Sequence, residues 1–201
     1  NEKGEVIHFI SQIEDITARK SESDRIRQMA YHDTLTGLPN RRLFDERISH
    51  TLAHAKRVGY PIALMFVDVD YFKQINDKHG HDVGDEILKS VADRMKDCLR
   101  HTDTLSRVGG DEFVILLTEI KKPEDAKVVA EHILETVSQP LHVHTHDFRI
   151  TLSIGVAIFS GDSDDETVSE LTKKADLALY EVKSAGRNGV HVFGSNHLHA
   201  N

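Results

Sequence analysis

Apolar residues recur with helical spacing in several stretches of the chain. Phe44, Ile48, Leu52 and Ala55 fall on one face of a predicted helix after residue 40. Val83, Ile87, Leu88, Val91, Ala92, Met95 and Leu99 share one side of a strongly amphipathic helix. Ala126, Val129, Ala130, Ile133 and Val137 predict a helix over Glu124–Ser138, and Val168, Leu171, Ala175, Leu179 and Val182 another over Val168–Lys183. Elsewhere the period changes. Pro61–Val67 is a continuous apolar run bounded by turn signals, which suits a buried central strand. Thr104–Val108 and Val114–Thr118 predict a hairpin around Gly109–Phe113, a second hairpin spans roughly Leu141–Phe159, and Val190–Phe193 predicts a last short strand. Residues 33–40 carry turn signals, Phe72–Lys78 reads as a short helix, and the tail after Gly194 is expected to fray. Hairpins mixed with helices predict an α/β (α+β) fold, a mostly antiparallel central sheet flanked by helices.

The N-terminal end reads differently. Gly4–Ile13 has strand composition, and Asp15 or Thr17 can cap a charged helix through Met29 that has too few apolar residues to join a core. It suits a connector or a helix that pairs with a partner. The chain begins in mid-pattern without Met, so a piece of a longer protein is expected. Its 201 residues allow one large domain, or one domain and an extension. The apolar share of 39% and charged share of 29% are those of an ordinary soluble domain. A net charge of -8 argues against nucleic acid as a partner but leaves room for a small anion held by a local basic cluster or a metal. No apolar run is long enough to span a membrane, so no direct membrane contact is expected of this stretch, and no secretory signal is present. The lone Cys98 permits no internal disulfide; it reads as a small buried residue near a helix end, in a cytoplasmic setting. The longer protein could still be membrane-anchored.

The candidate chemistry sits where apolar strands end. Gly109-Gly110-Asp111-Glu112-Phe113 places adjacent carboxylates at the tip of a hairpin, where they repel unless a positive charge joins them. An ordinary exposed turn is the plainer account of those residues. Asp68-Val69-Asp70 closes the apolar Pro61–Val67 run, and its carboxylates can either cap the next helix or converge with Asp111 and Glu112 if the strands are neighbours. Such a convergence suits magnesium, which takes oxygen ligands and substrate phosphates together. No Gly-x-x-x-x-Gly-Lys-Ser/Thr run occurs, which argues against a P-loop enzyme.

Several segments together resemble the GGDEF family of diguanylate cyclases. These are Tyr31-His32-Asp33-Thr34-Leu35-Thr36-Gly37-Leu38-Pro39-Asn40-Arg41, then Asp68-Val69-Asp70-Tyr71-Phe72-Lys73-Gln74-Ile75-Asn76-Asp77, then Gly80-His81-Asp82-Val83-Gly84-Asp85. Arg107-Val108-Gly109-Gly110-Asp111-Glu112-Phe113 and Lys183-Ser184-Ala185-Gly186-Arg187-Asn188 complete the set, in the family's order and with no departure from its motifs. The resemblance covers roughly Tyr31–Phe193 and implies a fold similar to the nucleotidyl cyclase and polymerase palm. It places a cyclase domain over residues 33–195, a linker helix over 15–32, the last strand of a PAS sensor domain over 1–14 and a tail over 196–201. The activity implied is condensation of two GTP into cyclic di-GMP and two pyrophosphates, each subunit of a homodimer holding one GTP, with an upstream sensor setting how the two meet.

The same resemblance assigns residues. Asp68, Asp111 and Glu112, with the Val69 carbonyl, would hold magnesium or manganese, and Asp111 or Glu112 would help deprotonate the attacking 3′-hydroxyl. Asn76 and Asp85 would read the guanine edge, because a carboxylate accepts from N1 and N2 donors that adenine lacks. His81 would lie near the nucleotide, Lys183 and Arg187 would hold phosphates, and the backbone at Phe72 and Lys73 could donate to phosphate as well. Helix-end charge complementarity is the plainer account of Lys183 and Arg187. Arg100-His101-Thr102-Asp103 matches the family's Arg-x-x-Asp inhibitory site for cyclic di-GMP, against a plain helix-end Arg and loop Asp. His142, His144 and His146 would alternate along one strand face, open to zinc or nickel but more in keeping with a solvated face. Two other readings differ in what they ask of these residues. A degenerate nucleotide-binding module would lack Asp68, Asp111 or Glu112, and an ATP-accepting cyclase would lack a carboxylate at Asp85; all are present.

Overall fold

The computed structural model describes residues 22, 25, 28–162, 165–195 and 199–200. The chain divides into two units, residues 1–30 and 31–201. In the first, the described residues are helical; the strand expected within 1–14 and most of the helix expected over 15–32 lie outside the described residues.

The second unit is built on one sheet. In chain order its elements are α1 (Arg41–Val58), β1 (Ile62–Val69), α2 (Phe72–His79), α3 (His81–Asp97), β2 (Thr104–Gly109), β3 (Glu112–Leu117), α4 (Pro123–Val137), β4 (Leu141–Val143), β5 (His146–Phe148), β6 (Leu152–Phe159), α5 (Val168–Ser184), β7 (Gly189–Val192) and β8 (His199–Ala200). The strand order is β2-β3-β1-β6-β7-β8, antiparallel throughout except for the parallel β6–β7 pair. The short β8 belongs to the tail that was expected to fray, and it pairs with the start of β7.

Alternation along β1 sorts its side chains to two cores. Ala63, Met65, Val67 and Val69 join one cluster with Val83, Ile87, Val91 and Met95 of α3 and Ala126, Ala130 and Ile133 of α4. Ile62 and Leu64 join the other, with Phe44, Ile48, Leu52 and Ala55 of α1 and Leu171 and Ala175 of α5. A strand buried on both faces is therefore continuously apolar, as Pro61–Val67 suggested. The helix periodicities hold too, with Leu99, Val129 and Val168 only partly buried at the margins.

One expectation fails in part. Leu141–Phe159 is not a single hairpin: β4 and β5 form their own two-stranded sheet, while β6 runs beside β1 in the centre of the main one. The reversal between β4 and β5 falls at His144, in left-handed backbone. His142, His144 and His146 accordingly stand on β4, in its turn and on β5, and do not share one strand face. Cys98 caps the end of α3 and is half-buried, its thiol donating to the Arg94 carbonyl, so it is less enclosed than expected.

Candidate active site

The site forms where β1 ends and the chain passes from one core layer to the other. Asp68 has the parity of Ile62 and Leu64, so it faces the α5 layer. It stands directly opposite Glu112 on β3, as the sequence pattern anticipated for neighbouring strands. Asp111 occupies the turn, and its carbonyl accepts from the Val69 N–H at 3.2 Å. Gly110 takes the left-handed conformation in that turn at φ 46°, whereas Gly109 does not, so only one of the paired glycines is needed for its backbone freedom.

Lys183, in the last turn of α5, reaches across to Asp68 with 2.6 Å between Nζ and Oδ2. It arrives there because α5 lies almost on the backbone of β6. A Cβ at Gly155 would sit 2.1 Å from the Leu179 nitrogen and 2.3 Å from the Ala175 oxygen. Burial pushes the Asp68 carboxyl above its ordinary value; Lys183 opposes this, and the negative charges of Asp111 and Asp70 reinforce it. A carboxylate held in that state favours an incoming cation.

α2 and α3 carry the remaining candidate residues. α2 begins at Tyr71 without a side-chain cap, so the N–H groups at its start, by buried Phe72 and exposed Lys73, are available to an anion. Asn76 lies on α2 against Gly84 of α3, where an added Cβ would fall 1.9 Å from its Oδ1, and that oxygen is buried without a hydrogen-bond partner. His81 opens α3 and Asp85 follows one turn later, both exposed on the same side. Beyond α5, Arg187 adopts left-handed backbone and lays its guanidinium over the Tyr71 ring, 5.0 Å from the centroid.

Among the described residues no three His, Cys, Asp or Glu side chains converge into a ready metal cage. Magnesium is commonly held by one or two carboxylates, completed by substrate phosphates and water. Asp68 and Asp111 could supply them, with Glu112 at the next position. A cavity of about 740 Å³ lies elsewhere, between α4 and the β7 region, lined by Glu131, His132, Arg149 and Thr151 among others. It contains none of these carboxylates, so the chemistry and not the size of the hollow locates the site.

Two contributors were not legible as site residues. Arg107, two residues before the glycine pair, donates from Nε and Nη2 to the Gly110 carbonyl at 2.9 and 2.6 Å and from Nη1 to Asp33 at 3.0 Å. Asp33 also accepts from the backbone and hydroxyl of Thr36. Burial raises the Asp33 carboxyl, but the Thr36 hydrogen bonds and the Arg107 hydrogen bond and charge outweigh it and leave it below its ordinary value. The turn is thereby clamped to the 33–40 loop. The second is Asp70, which caps no helix; its oxygens accept from Thr151, Ser153 and the Asn188 N–H. The pairing partners lie 74 and 81 or more positions away, beyond the reach of local pattern.

Residues 30–189 match the family described as "Diguanylate cyclase, GGDEF domain". The chain belongs to the GGDEF family. It is 44% identical over 169 residues to the bifunctional diguanylate cyclase/cyclic di-GMP phosphodiesterase MucR of Pseudomonas aeruginosa, covering 84% of this chain and 24% of that protein. It is 38% identical over 168 residues to the cyclic di-GMP phosphodiesterase NbdA of the same organism, covering 84% of this chain and 21% of that one. The chain thus spans about a quarter or less of the length of these curated relatives. Among solved structures, the coiled coil and GGDEF domain of DgcB from Caulobacter crescentus in complex with c-di-GMP superposes with a TM-score of 0.81 at 28% identity, covering 89% of this chain and 93% of that one. The mixed α/β architecture with a central sheet is that of GGDEF structures.

In this GGDEF domain the Arg100–Asp103 pair stands apart from the carboxylates, at the far end of β2. That strand is six residues long, placing the pair roughly 20 Å from the Gly110 turn. Arg100 is exposed. Asp103 closes a turn, accepting from the Arg100 N–H at 3.0 Å and the Thr118 N–H at 3.1 Å. No helix among the described residues is long and apolar enough to cross a membrane.

Proposed function

We propose that this chain is the catalytic part of a diguanylate cyclase, condensing two GTP into cyclic di-GMP with release of two pyrophosphates. The observation that carries the reading is the single strand end at which Asp68, Glu112, Asp111 and Lys183 meet. Asp68 and Asp111, with the Val69 carbonyl and Glu112, are the residues that would hold magnesium or manganese. The bound metal would stabilise the charge on the transferred phosphoryl group and on departing pyrophosphate. Lys183 would exchange its bond with Asp68 for the triphosphate once a metal takes over the carboxylate, and Arg187 and the start of α2 would take up the remaining phosphate charge. Asn76 and Asp85 would hold the guanine edge, with His81 beside the nucleotide. Asp111 or Glu112 would accept the 3′-hydroxyl proton as that oxygen attacks the α-phosphorus of the second GTP. The second GTP would sit on another copy of this domain, as the resemblance to the family implies, so that the reaction would belong to a homodimer. An upstream sensor, attached through residues 1–32, would govern that encounter. Arg100 and Asp103 would bind product and restrain the enzyme, the Arg fork to guanine O6 and N7.

A second reading is a regulatory nucleotide-binding module, favoured by the match to NbdA, whose name states only a phosphodiesterase. Incubation with GTP and magnesium, followed by product identification with Asp111→Ala as control, separates the two. Cyclic di-GMP from the unsubstituted chain alone is the expected result. GTP binding by a dimer without product would replace the cyclase reading with the regulatory one.

A further inference from the structure

Asp70 is a buried carboxylate that the proposed chemistry does not use. It follows directly on β1 and is 4% exposed. Its Oδ1 accepts from the Ser153 hydroxyl at 2.7 Å, and its Oδ2 from the Thr151 hydroxyl at 2.7 Å and the Asn188 N–H at 3.0 Å. Its own N–H donates to the Thr151 carbonyl at 3.0 Å. Oxygens so engaged point toward β6 and the segment after α5, and the three hydrogen bonds they accept all come from neutral donors.

The segment that Asp70 grips is an unusual one. Gly186, Arg187 and Asn188 have φ of 114°, 69° and 49°, so residues with side chains hold a left-handed path that they adopt reluctantly. Such a path persists where neighbouring structure imposes it. The Arg187 N–H is tied to the Val182 carbonyl at 3.0 Å, and the Asn188 N–H to Asp70. Tyr71, next in sequence to Asp70 and itself left-handed at φ 57°, carries the Arg187 guanidinium on its ring. Asp70 therefore fixes Arg187 from two sides, through the backbone that follows it and through the residue it stacks on.

We infer that Asp70 is a positioning residue for phosphate recognition: it holds the Gly186–Asn188 segment in the conformation that presents Arg187 at the end of β1. The inference rests on the proposed function, in which Arg187 meets the triphosphate. The buried anion acts through the loop and does not touch substrate.

The test compares a ligand with phosphates and one without. Binding of a non-hydrolysable GTP analogue and of guanosine to the whole chain is measured with magnesium present. Asp70→Ala should weaken the GTP analogue about tenfold or more and leave guanosine within about twofold. The double variant Asp70→Ala/Arg187→Ala should bind the analogue no more weakly than Arg187→Ala alone, the non-additivity expected of residues acting through one contact. Thr151→Val, which removes one donor and keeps the shape, should move the analogue in the same direction by less. Equal losses for both ligands, or additive losses with Arg187→Ala, overturn the inference. So does an unfolded Asp70→Ala accompanied by unchanged binding in Thr151→Val. If the unsubstituted chain makes cyclic di-GMP while Asp70→Ala binds normally, this inference alone fails; if the unsubstituted chain binds no GTP analogue, the functional reading fails and takes it along.

Discussion

Asp68 illustrates how a single side chain can be held against its own comfort. Burial and two neighbouring carboxylates raise its proton affinity, and Lys183 relieves this only in part. Because the folded-state value lies above the unfolded one, the ionised group costs stability at neutral pH, and the cost disappears below the ordinary value of 3.8. Asp68→Asn should therefore leave the metal-free protein as stable as the parent or more so at pH 7, in thermal melts, with the difference shrinking toward pH 4, while cyclic di-GMP synthesis is lost. A lower melting temperature at pH 7 would show that the Lys183 bond outweighs the burial. Asp33 has the opposite sign. Its value is depressed, so its contribution is present above 3.8 and is lost as the pH falls through the folded-state value. Urea unfolding at pH 6 and pH 3 should show a smaller acid loss in Asp33→Asn than in the parent.

At the scale of elements, the position of Lys183 depends on how closely α5 lies on β6. Gly155→Ala places a methyl group against helix backbone, which cannot yield as a side-chain tip can, and should destabilise by about 1–3 kcal/mol in chemical denaturation. The KM for GTP should rise as well, because the helix that carries Lys183 must lift. The helices themselves were legible in the sequence, since the periods of α1, α3, α4 and α5 reflect the layers they cover. So was β1, whose unbroken apolar run records burial on both faces. The division of Leu141–Phe159 between two sheets was not, because composition marks a strand but not its partner. The motif carboxylates could be read from their strand ends as one of two alternatives, and their individual roles only through resemblance to a family. Arg107–Asp33 and Asp70–Asn188 are pairings between distant stretches, and no local period announces them.

For the whole molecule, the separation of Arg100 and Asp103 from the carboxylates allows inhibition and catalysis to be tested apart. Arg100 is exposed, so Arg100→Ala should leave the initial rate with GTP intact and raise the concentration of cyclic di-GMP needed for half-inhibition about tenfold or more. Unchanged inhibition would remove the pair from the reading. Asp103→Ala is the less clean probe, because its carboxylate also holds the turn into β2 and the Thr118 N–H. The clamp on the other end of that strand has a further meaning. β2 is the last strand of the sheet, and there the Pro39 carbonyl accepts from the Arg107 N–H at 3.0 Å. A loop that holds the Gly109–Phe113 turn thus also closes part of an open strand border to other chains. Loss of the clamp, as in Arg107→Ala, should make inactivation and self-association one event: light scattering should climb in step with the fall in turnover on mild heating. For this domain, solubility and competence would then be guarded by the same few bonds.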